Sequence, residues 1–350
     1  MKHTTPSGVH NVNIVAGREL FSPDELKDQY PLTERGADTI RSARTTISRI
    51  LSGEDKRIFV VVGPCSIHRV AEARDYAHRL ARVAERVSST MVLVMRTYFE
   101  KPRTIGGWKG FINDPHLDGT FAIQEGLALA RQLLVEVSEL GLPSATEMLD
   151  LISPQYLADC ISWSAIGART TESQTHRQLA SGLSMPIGFK NGTSGDIEVA
   201  ANAVMAAAQS HHFLSVSDAG RVSVFQTRGN PHGHVILRGG FQPNYEQESV
   251  EECVAILKDK GLAPFVMVDC SHGNSRKDFR NQAKVFRYAL DRLNDPAYPV
   301  RSFMIESNIQ AGNQVFSYGE PLTYGVSITD GCIGWDETEA LLLEAHDRLK

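Results

Sequence analysis

The sequence predicts an α/β chain built as a (β/α)8 TIM barrel, with an N-terminal arm in front and a β-hairpin inserted late in the barrel. Three observations predict it. Eight short apolar runs rich in Val and Ile recur after residue 57 and end in polar residues or glycine. These runs are near-continuous rather than alternating, as parallel strands covered on both faces should be. Longer segments with helical apolar spacing separate them, the arrangement of a strand–helix repeat. An open doubly wound sheet would more often carry a glycine-rich nucleotide turn after its first strand, and neither G-x-G-x-x-G nor G-x-x-x-x-G-K-[ST] is present.

Residues 1–57 form the arm. Val12 and Ile14 alternate with polar neighbours and predict a short strand. Thr33 is placed to cap a helix that carries Ile40, Ala43, Ile47 and Ile50 on one face. A short arm cannot bury such a face alone, so it should pack on the barrel or on a second subunit. Ser52-Gly53-Glu54-Asp55 closes it.

The barrel spans 58–350, and its strand runs are 58–66, 91–100, 144–149, 164–170, 186–192, 234–240, 264–274 and 302–309. Between them, Tyr76, Leu80, Val83 and Val87 share a helical face, as do Ile123, Leu127, Ala130, Leu134 and Val137, and Ile197, Ala201, Val204 and Ala208. A last helix over 337–349 completes the set. The insertion at 213–233 places Asp218-Ala219-Gly220 between alternating runs, which predicts a hairpin before the sixth strand.

Composition narrows the function. The 350 residues carry a net charge of −5, with 42% hydrophobic and 22% charged residues. A mildly acidic chain has no general electrostatic case for nucleic acid or an anionic membrane. No stretch reaches the roughly 18 apolar residues of a membrane helix, and no long apolar segment near the start marks a secretory signal. The five cysteines show no C-x-x-C spacing, so neither a disulfide framework nor a zinc ribbon is expected. A reducing cytoplasm fits.

Barrel chemistry gathers where the strands end. Those ends carry Cys65; Arg96 followed by Lys101 and Arg103; Glu147; Arg169; Lys190; Arg238; His272; and Glu306, with Asp330 in the closing loop. Six of these are Arg or Lys in a chain that is acidic overall. Such a rim is costly by repulsion and desolvation, and the natural offset is one or two phosphates plus a carboxylate. Cys65, His272, Glu306 and Asp330 should be neighbours once the barrel shuts. Their mixed soft and hard donors suit one divalent metal ion, Mn²⁺, Fe²⁺, Co²⁺ or Zn²⁺. The glycine-rich Lys190–Gly195 and Arg238–Gly240 segments are expected to offer free backbone N–H groups to phosphate. Cys160, Cys253 and Cys270 read as core residues; His68, His116, His176, His211 and His212 read as structural or surface histidines.

Several motifs together resemble a known family. They are Gly63-Pro64-Cys65-Ser66-Ile67-His68, Arg96 through Lys101-Pro102-Arg103-Thr104 to Gly107-Trp108-Lys109-Gly110, Ile166 through Arg169 to Ser173, Gly188-Phe189-Lys190-Asn191-Gly192, Ile236-Leu237-Arg238-Gly239-Gly240 and Asp269-Cys270-Ser271-His272-Gly273-Asn274. The chain is similar, from about residue 20 onward, to the feedback-regulated type I alpha 3-deoxy-D-arabino-heptulosonate 7-phosphate (DAHP) synthases. Arg69 stands where that family often has Asp. Lys101-Pro102-Arg103-Thr104 argues against the sister 3-deoxy-octulosonate 8-phosphate synthases. A metal-dependent aldolase and a silent sugar-phosphate sensor are the remaining rivals.

The resemblance implies a transferase that condenses phosphoenolpyruvate with erythrose 4-phosphate and water, releasing phosphate, at the entry to the shikimate pathway. It implies that Arg96, Lys101, Glu147, Ala168, Arg169, Lys190 and Arg238 surround phosphoenolpyruvate. Lys101, Pro102, Arg103, Thr104 and Asp330 would meet erythrose 4-phosphate, and Cys65, His272, Glu306 and Asp330 would bind the metal. Lys101 and His272 are both candidates for proton transfer, with Lys101 expected to be tuned by its cationic neighbours. Pro154, Gln155, Ser184, Phe213 and Ser215 match positions of a pocket for an aromatic amino acid effector. A homodimer or homotetramer is expected. Cys332 lies two residues beyond Asp330, close enough in sequence to raise a disulfide with Cys65 as a redox switch.

Overall fold

The computed structural model describes residues 9–103 and 105–350. The arm contributes two helices. In α1 (Pro23–Gln29), Ser22 and Glu25 form a reciprocal capping box. In α2 (Glu34–Leu51), the Thr33 hydroxyl accepts from the Gly36 N–H, and Ile40, Ala43, Ile47 and Ile50 are buried. Residues 9–22 hold no strand; Val12 and Ile14 stand exposed with no partner strand to pair, so alternation alone did not make one.

The chain then alternates. β1 (Ile58–Gly63) leads to α3 (Val70–Val87), β2 (Met91–Arg96) to α4 (Ile123–Glu139), and β3 (Ser144–Glu147) to α5 (Ser153–Leu157) with a 3-10 turn at Ala158–Cys160. β4 (Trp163–Ile166) leads to α6 (Gln174–Gly182), and β5 (Ile187–Lys190) to α7 (Glu198–Ala207). The antiparallel hairpin β6 (His212–Val216) and β7 (Val222–Gln226) follows, then β8 (Gly233–Leu237), α8 (Gln247–Asp259), β9 (Val266–Asp269), α9 (Gln282–Leu290), β10 (Val300–Glu306) and α10 (Trp335–Leu349). Eight strands close into a parallel barrel in the order β1-β10-β9-β8-β5-β4-β3-β2, with β6 and β7 outside it. Each predicted apolar run supplies one barrel strand. At the start of α3, Arg69 caps nothing with its side chain, and Glu72 one turn on pairs with it at 3.4 Å.

Alternation along the strands decides what fills the barrel. Phe59, Val61, Val94, Ala145, Trp163, Ala165, Ile236, Met267 and Met304 form one buried cluster inside it. Gly188 is required there: a Cβ would stand 2.5 Å from Ile236 Cδ1 and 2.8 Å from Trp163 Cζ2. Ile47, Ile50 and Leu51 of α2 belong to the same cluster and plug the N-terminal end. The core therefore runs through the arm without a break at residue 57. Two arginines fasten it. Arg44 donates to the carbonyls of Ala158 and Ile161, and the buried Arg131 donates to Tyr30 O at 2.9 Å while forking onto Asp159.

The hairpin presents two unlike faces. Phe213 and Phe225 stack with centroids 6.1 Å apart on one side, and Leu214, Val222 and Val224 are exposed on the other. The arm reaches its turn, where the Asp24 N–H donates to Asp218 O at 2.9 Å. Among the described residues, no helix is long and apolar enough to cross a membrane.

Candidate active site

Two residues beyond the apolar interior, the same strand positions change character. After Val94 comes Arg96; after Ala145, Glu147; after Gly188, Lys190; after Ile236, Arg238; after Met267, Asp269; after Met304, Glu306. Gly63 at the end of β1 and Gly167 just after β4 occupy the corresponding places. The top of the barrel is thus a ring of three cations and three carboxylates, set by strand alternation. Both glycines make room. A Cβ on Gly63 would stand 3.1 Å from the Arg96 backbone, and one on Gly167 only 2.2 Å from Glu147 Oε1.

The ring is partly neutralised from within. Arg96 Nη2 lies 3.1 Å from Glu306 Oε1, and its guanidinium sits 3.9 Å over the Tyr98 ring. Lys190 Nζ lies 3.0 Å from Asp269 Oδ2. Ser271 Oγ donates to Glu306 Oε2 at 2.7 Å, and Gln282 brackets the Glu306 backbone, donating to its O at 2.9 Å and accepting from its N at 2.8 Å. Burial would raise the Glu306 carboxyl, but His272, Arg96 and Lys101 hold it down at about 2. Burial opposes ionisation of Asp269 as well, yet His272 and Lys190 keep it well below the ordinary carboxylate range. Glu147 Oε1 and Arg96 Nη1 are buried with no hydrogen-bond partner among the described residues. An orphaned buried group of this kind costs about 1–3 kcal/mol, so both fit a ligand contact.

Cys65, Glu306 and Asp330 converge, each offering an atom within 4.8 Å of the others. His272 stands beside them rather than among them. Its Nε2 is 3.9 Å from Glu306 Oε1, and its Nδ1 is 2.9 Å from Asp269 Oδ2. Its backbone is left-handed, φ 56°, an uncommon conformation for a residue with a Cβ and one that concentrates at functional sites. Burial pushes the Cys65 thiol up to about 11, with Glu306 adding to it. The clustered thiol and two carboxylates are a mixed donor set of the kind a transition metal or zinc takes, with the His272 imidazole next to it.

Lys101 departs from expectation. Its Nζ donates to Cys65 O at 3.2 Å and to Cys65 Sγ at 3.1 Å. Burial would lower its pKa, but Cys65, Glu306 and Asp330 outweigh that and raise it, with Arg96 alone among the nearest charges pulling down. Its anionic neighbours, not its cationic ones, set its charge, and it stays a proton donor. Arg103 donates to Trp108 O at 2.8 Å and is exposed, while Pro102 is half-buried. Thr104 lies outside the described residues. Ala168 and the exposed Arg169 follow Gly167 directly.

The glycine loops also differ from expectation. The N–H groups of Gly192, Gly195, Gly239 and Gly240 are already spent on Asp196 O, Gly192 O, Asn244 Oδ1 and Gln242 O. Buried backbone donors find partners inside the fold. The glycines serve close approach instead: a Cβ on Gly240 would meet Ser194 O at 2.3 Å. Three buried asparagines lock this corner. Asn191 Oδ1 accepts from the Arg238 N–H at 2.8 Å, Asn244 Nδ2 donates to Asn191 Oδ1, and Asn274 Oδ1 accepts from the Asn244 N–H. Asn191 and Asn274 lay inside conspicuous motifs; Asn244 and Gln282 carried no sequence signal.

A second concavity, of about 820 Å³, opens between α1, α2, α5, α6 and the hairpin. Pro154, Gln155, Ser184 and Phe213 line it, and Gln155 Nε2 reaches Ser215 Oγ at 3.4 Å. The cysteines are all buried and free, and the Cys332 thiol lies against the backbone of Cys65. His68 is buried 3.1 Å from Glu72, and His176 is held by Leu149 O, both structural as expected.

A closed parallel barrel whose mouth joins a cation-bearing ring to a clustered thiol–carboxylate set defines a class of (β/α)8 enzymes that act on anionic, phosphorylated substrates. Comparison with known proteins makes this specific. Residues 31–343 match the DAHP synthetase I family, and the chain belongs to it. It is 54% identical over 344 residues to the Tyr-sensitive phospho-2-dehydro-3-deoxyheptonate aldolase of Salmonella typhimurium, covering 97% of this chain and 96% of that one. The Phe-sensitive enzyme of Escherichia coli K12 is 50% identical over 333 residues, with 95% of each chain covered. The solved structure of the Francisella tularensis phospho-2-dehydro-3-deoxyheptonate aldolase superposes with a TM-score of 0.94 at 48% identity, covering 96% of this chain and 98% of that one.

Proposed function

We propose that this chain is a DAHP synthase: it joins phosphoenolpyruvate to D-erythrose 4-phosphate with addition of water and release of phosphate, under feedback by an aromatic amino acid. The observation that carries the reading is the barrel mouth, where a cation ring stands against the Cys65–Glu306–Asp330 cluster. Four cations, Lys101, Arg103, Arg169 and Arg238, have no carboxylate partner among the described residues. Two phosphates and a carboxylate supply the missing counter-charge.

In this reading Arg96, Lys101, Glu147, Ala168, Arg169, Lys190 and Arg238 hold phosphoenolpyruvate. Pro102, Arg103 and Thr104 take the erythrose 4-phosphate phosphate, with Lys101 and Asp330 nearby. The cations bring two mutually repelling anions together, which supplies proximity and electrostatic compensation. Cys65, His272, Glu306 and Asp330 would hold one divalent ion, Mn²⁺ first among the candidates, and such an ion polarises an aldehyde as a Lewis acid. The new C–C bond joins the methylene carbon of phosphoenolpyruvate to the aldehyde carbon. Water adds at C2, and the phosphate leaves. Lys101, held protonated, is placed to give a proton to the aldehyde oxygen, and His272 is the alternative donor.

The 820 Å³ concavity suits an aromatic effector, with Phe213 and Gln155 in its wall. The exposed apolar side of the hairpin and the exposed Val12 and Ile14 of the arm suit contact with further copies of the chain, as a homodimer or homotetramer in the cytoplasm. Phosphate release measured with both substrates, then with phenylalanine, tyrosine and tryptophan in turn, tests the whole reading. Release that needs both substrates and falls with one amino acid supports it. No release, or release with arabinose 5-phosphate in place of erythrose 4-phosphate, overturns it.

A further inference from the structure

The geometry points to Tyr98 as a positioning residue for phosphoenolpyruvate: its ring is the platform that fixes the plane of the Arg96 guanidinium, so that one free edge meets the anion. This deepens the proposed function and rests on it. Val94, Arg96 and Tyr98 alternate onto the inner side of the barrel. Arg96 is fully buried. Much of its guanidinium edge is committed within the protein. Nε donates to Pro64 O at 3.2 Å, and Nη2 donates to Cys65 O at 3.4 Å and to Glu306 Oε1 at 3.1 Å. Nη1 is buried with no partner among the described residues, which leaves it for a ligand.

Those hydrogen bonds do not set the plane by themselves. Both carbonyl contacts lie at or beyond the long end of ordinary N–H···O distances, about 3.2 Å. A bond made at the edge of a flat group also resists sliding more than tilting. The face resists the tilt. Arg96 Cζ stands 3.9 Å from the centroid of the Tyr98 ring, inside cation–π range. Both partners are buried, so water does not weaken the contact. The platform is anchored in turn. Its ring belongs to the interior cluster that holds Ala145 and Met304, and its hydroxyl reaches Met304 Sδ at a loose 3.9 Å. Tyr98 O accepts from the Ile67 N–H at 2.8 Å. Ile67 follows in the loop whose Pro64 and Cys65 carbonyls hold Arg96, so one residue secures both the face of the guanidinium and the loop along its edge. The ring face carries this task, and the hydroxyl does not.

The test varies the ring and reads phosphoenolpyruvate affinity by equilibrium dialysis, with KM for each substrate and kcat alongside. Tyr98→Phe keeps the face and should bind phosphoenolpyruvate as the parent does. Tyr98→Leu removes the face and should weaken binding about 30-fold, the equivalent of about 2 kcal/mol for a desolvated contact. The KM for erythrose 4-phosphate should hold. Because leucine also leaves a gap in the core, a trifluorinated phenylalanine at position 98 gives the cleaner comparison. It keeps the ring's shape and drains the negative charge from its face. It should bind phosphoenolpyruvate more weakly than Tyr98→Phe at an equal melting temperature, which a merely structural ring would not do. In an Arg96→Gln chain the same fluorination should change nothing, since the cation is gone. Equal affinity for the fluorinated and plain rings, or a loss in Tyr98→Phe as large as in Tyr98→Leu, overturns the proposal. Failure of the parent to bind phosphoenolpyruvate at all would instead overturn the DAHP synthase reading.

Discussion

Lys101→Ala should separate catalysis from folding, because the structure gives this side chain few contacts of its own. Lys101 follows β2 in a loop and makes two contacts, both to Cys65: the carbonyl at 3.2 Å and the thiol at 3.1 Å. The carbonyl keeps Arg96 Nη2 as a donor at 3.4 Å. Removing Lys101 therefore orphans little, and the stability cost should be about 1 kcal/mol, the net worth of one ordinary hydrogen bond. In a domain of this size that lowers the melting temperature by no more than about 2–4 °C. Catalysis should suffer far more. A positioned proton donor contributes about 10²–10⁴-fold, or roughly 3–5 kcal/mol of barrier. Phosphate release under saturating substrates, together with a thermal melt, measures both. Lys101→Arg should restore substrate binding while leaving kcat low, because a guanidinium fork cannot replace a compact ammonium as the donor. A Lys101→Ala chain with parental melting temperature and parental kcat would refute the assignment.

Three more outcomes follow from named contacts. The half-buried Glu100 carboxyl is pushed from 4.5 up to about 7 by burial, with Asp150 adding repulsion and Ser153 opposing. Its folded pKa exceeds its unfolded one, so its contribution to stability is complete below 4.5 and lost as pH rises through about 7. Glu100→Gln should flatten that decline in urea melts at several pH values, and an unchanged slope would contradict it. Removing residues 1–32 should abolish feedback inhibition and spare catalysis, because Lys27 and Leu32 belong to the wall of the concavity, whereas removal through residue 57 should also destabilise the barrel, because Ile47, Ile50 and Leu51 fill its N-terminal end; inhibition that survives the shorter deletion counts against the effector pocket. Peroxide treatment without metal should protect both Cys65 and Cys332 from alkylation if a disulfide forms between them, and unchanged alkylation of Cys65 would dismiss the redox switch.

Much of the fold was legible because barrel strands carry a local signature. Runs such as Val60-Val61-Val62 and Val266-Met267-Val268 are apolar on both faces, and no solvent-exposed strand needs that. The hairpin was legible through its alternation and its Asp-Ala-Gly turn. Val12 and Ile14 show the limit: the same alternation, without a neighbouring strand, leaves exposed side chains. In the site, residue types at strand ends were legible, and so were the motif asparagines as residues. Their partners were not. Whether Gly239 N–H faces a ligand or Asn244 depends on a side chain five residues away folding back, and whether Lys101 is tuned by cations or anions depends on which strand lies beside it. Such facts belong to tertiary contacts, which periodicity does not encode.

The rim cations also divide in a way that residue counting could not show. A surplus of Arg and Lys at one mouth could mean internal ion pairing or an awaiting anion, and the structure uses both. Arg96 and Lys190, which are buried, take Glu306 and Asp269 as partners, as desolvated charges must. Lys101, Arg103 and Arg238, which are less buried, rest on the carbonyls of Cys65, Trp108 and Gly239, and make no direct ion pair with a carboxylate among the described residues. The paired cations hold the ring together in the absence of substrate; the unpaired ones create the field. An acidic protein can thus remain soluble and selective while presenting a concentrated positive potential only where the strands end. Neutralising an unpaired member, as in Arg238→Gln, should weaken phosphoenolpyruvate binding with little change in melting temperature. Neutralising the paired Arg96 should cost stability too, since Glu306 would be left buried with Ser271 as its remaining side-chain donor. Equal melting temperatures for the two variants would show that this division of labour is wrong.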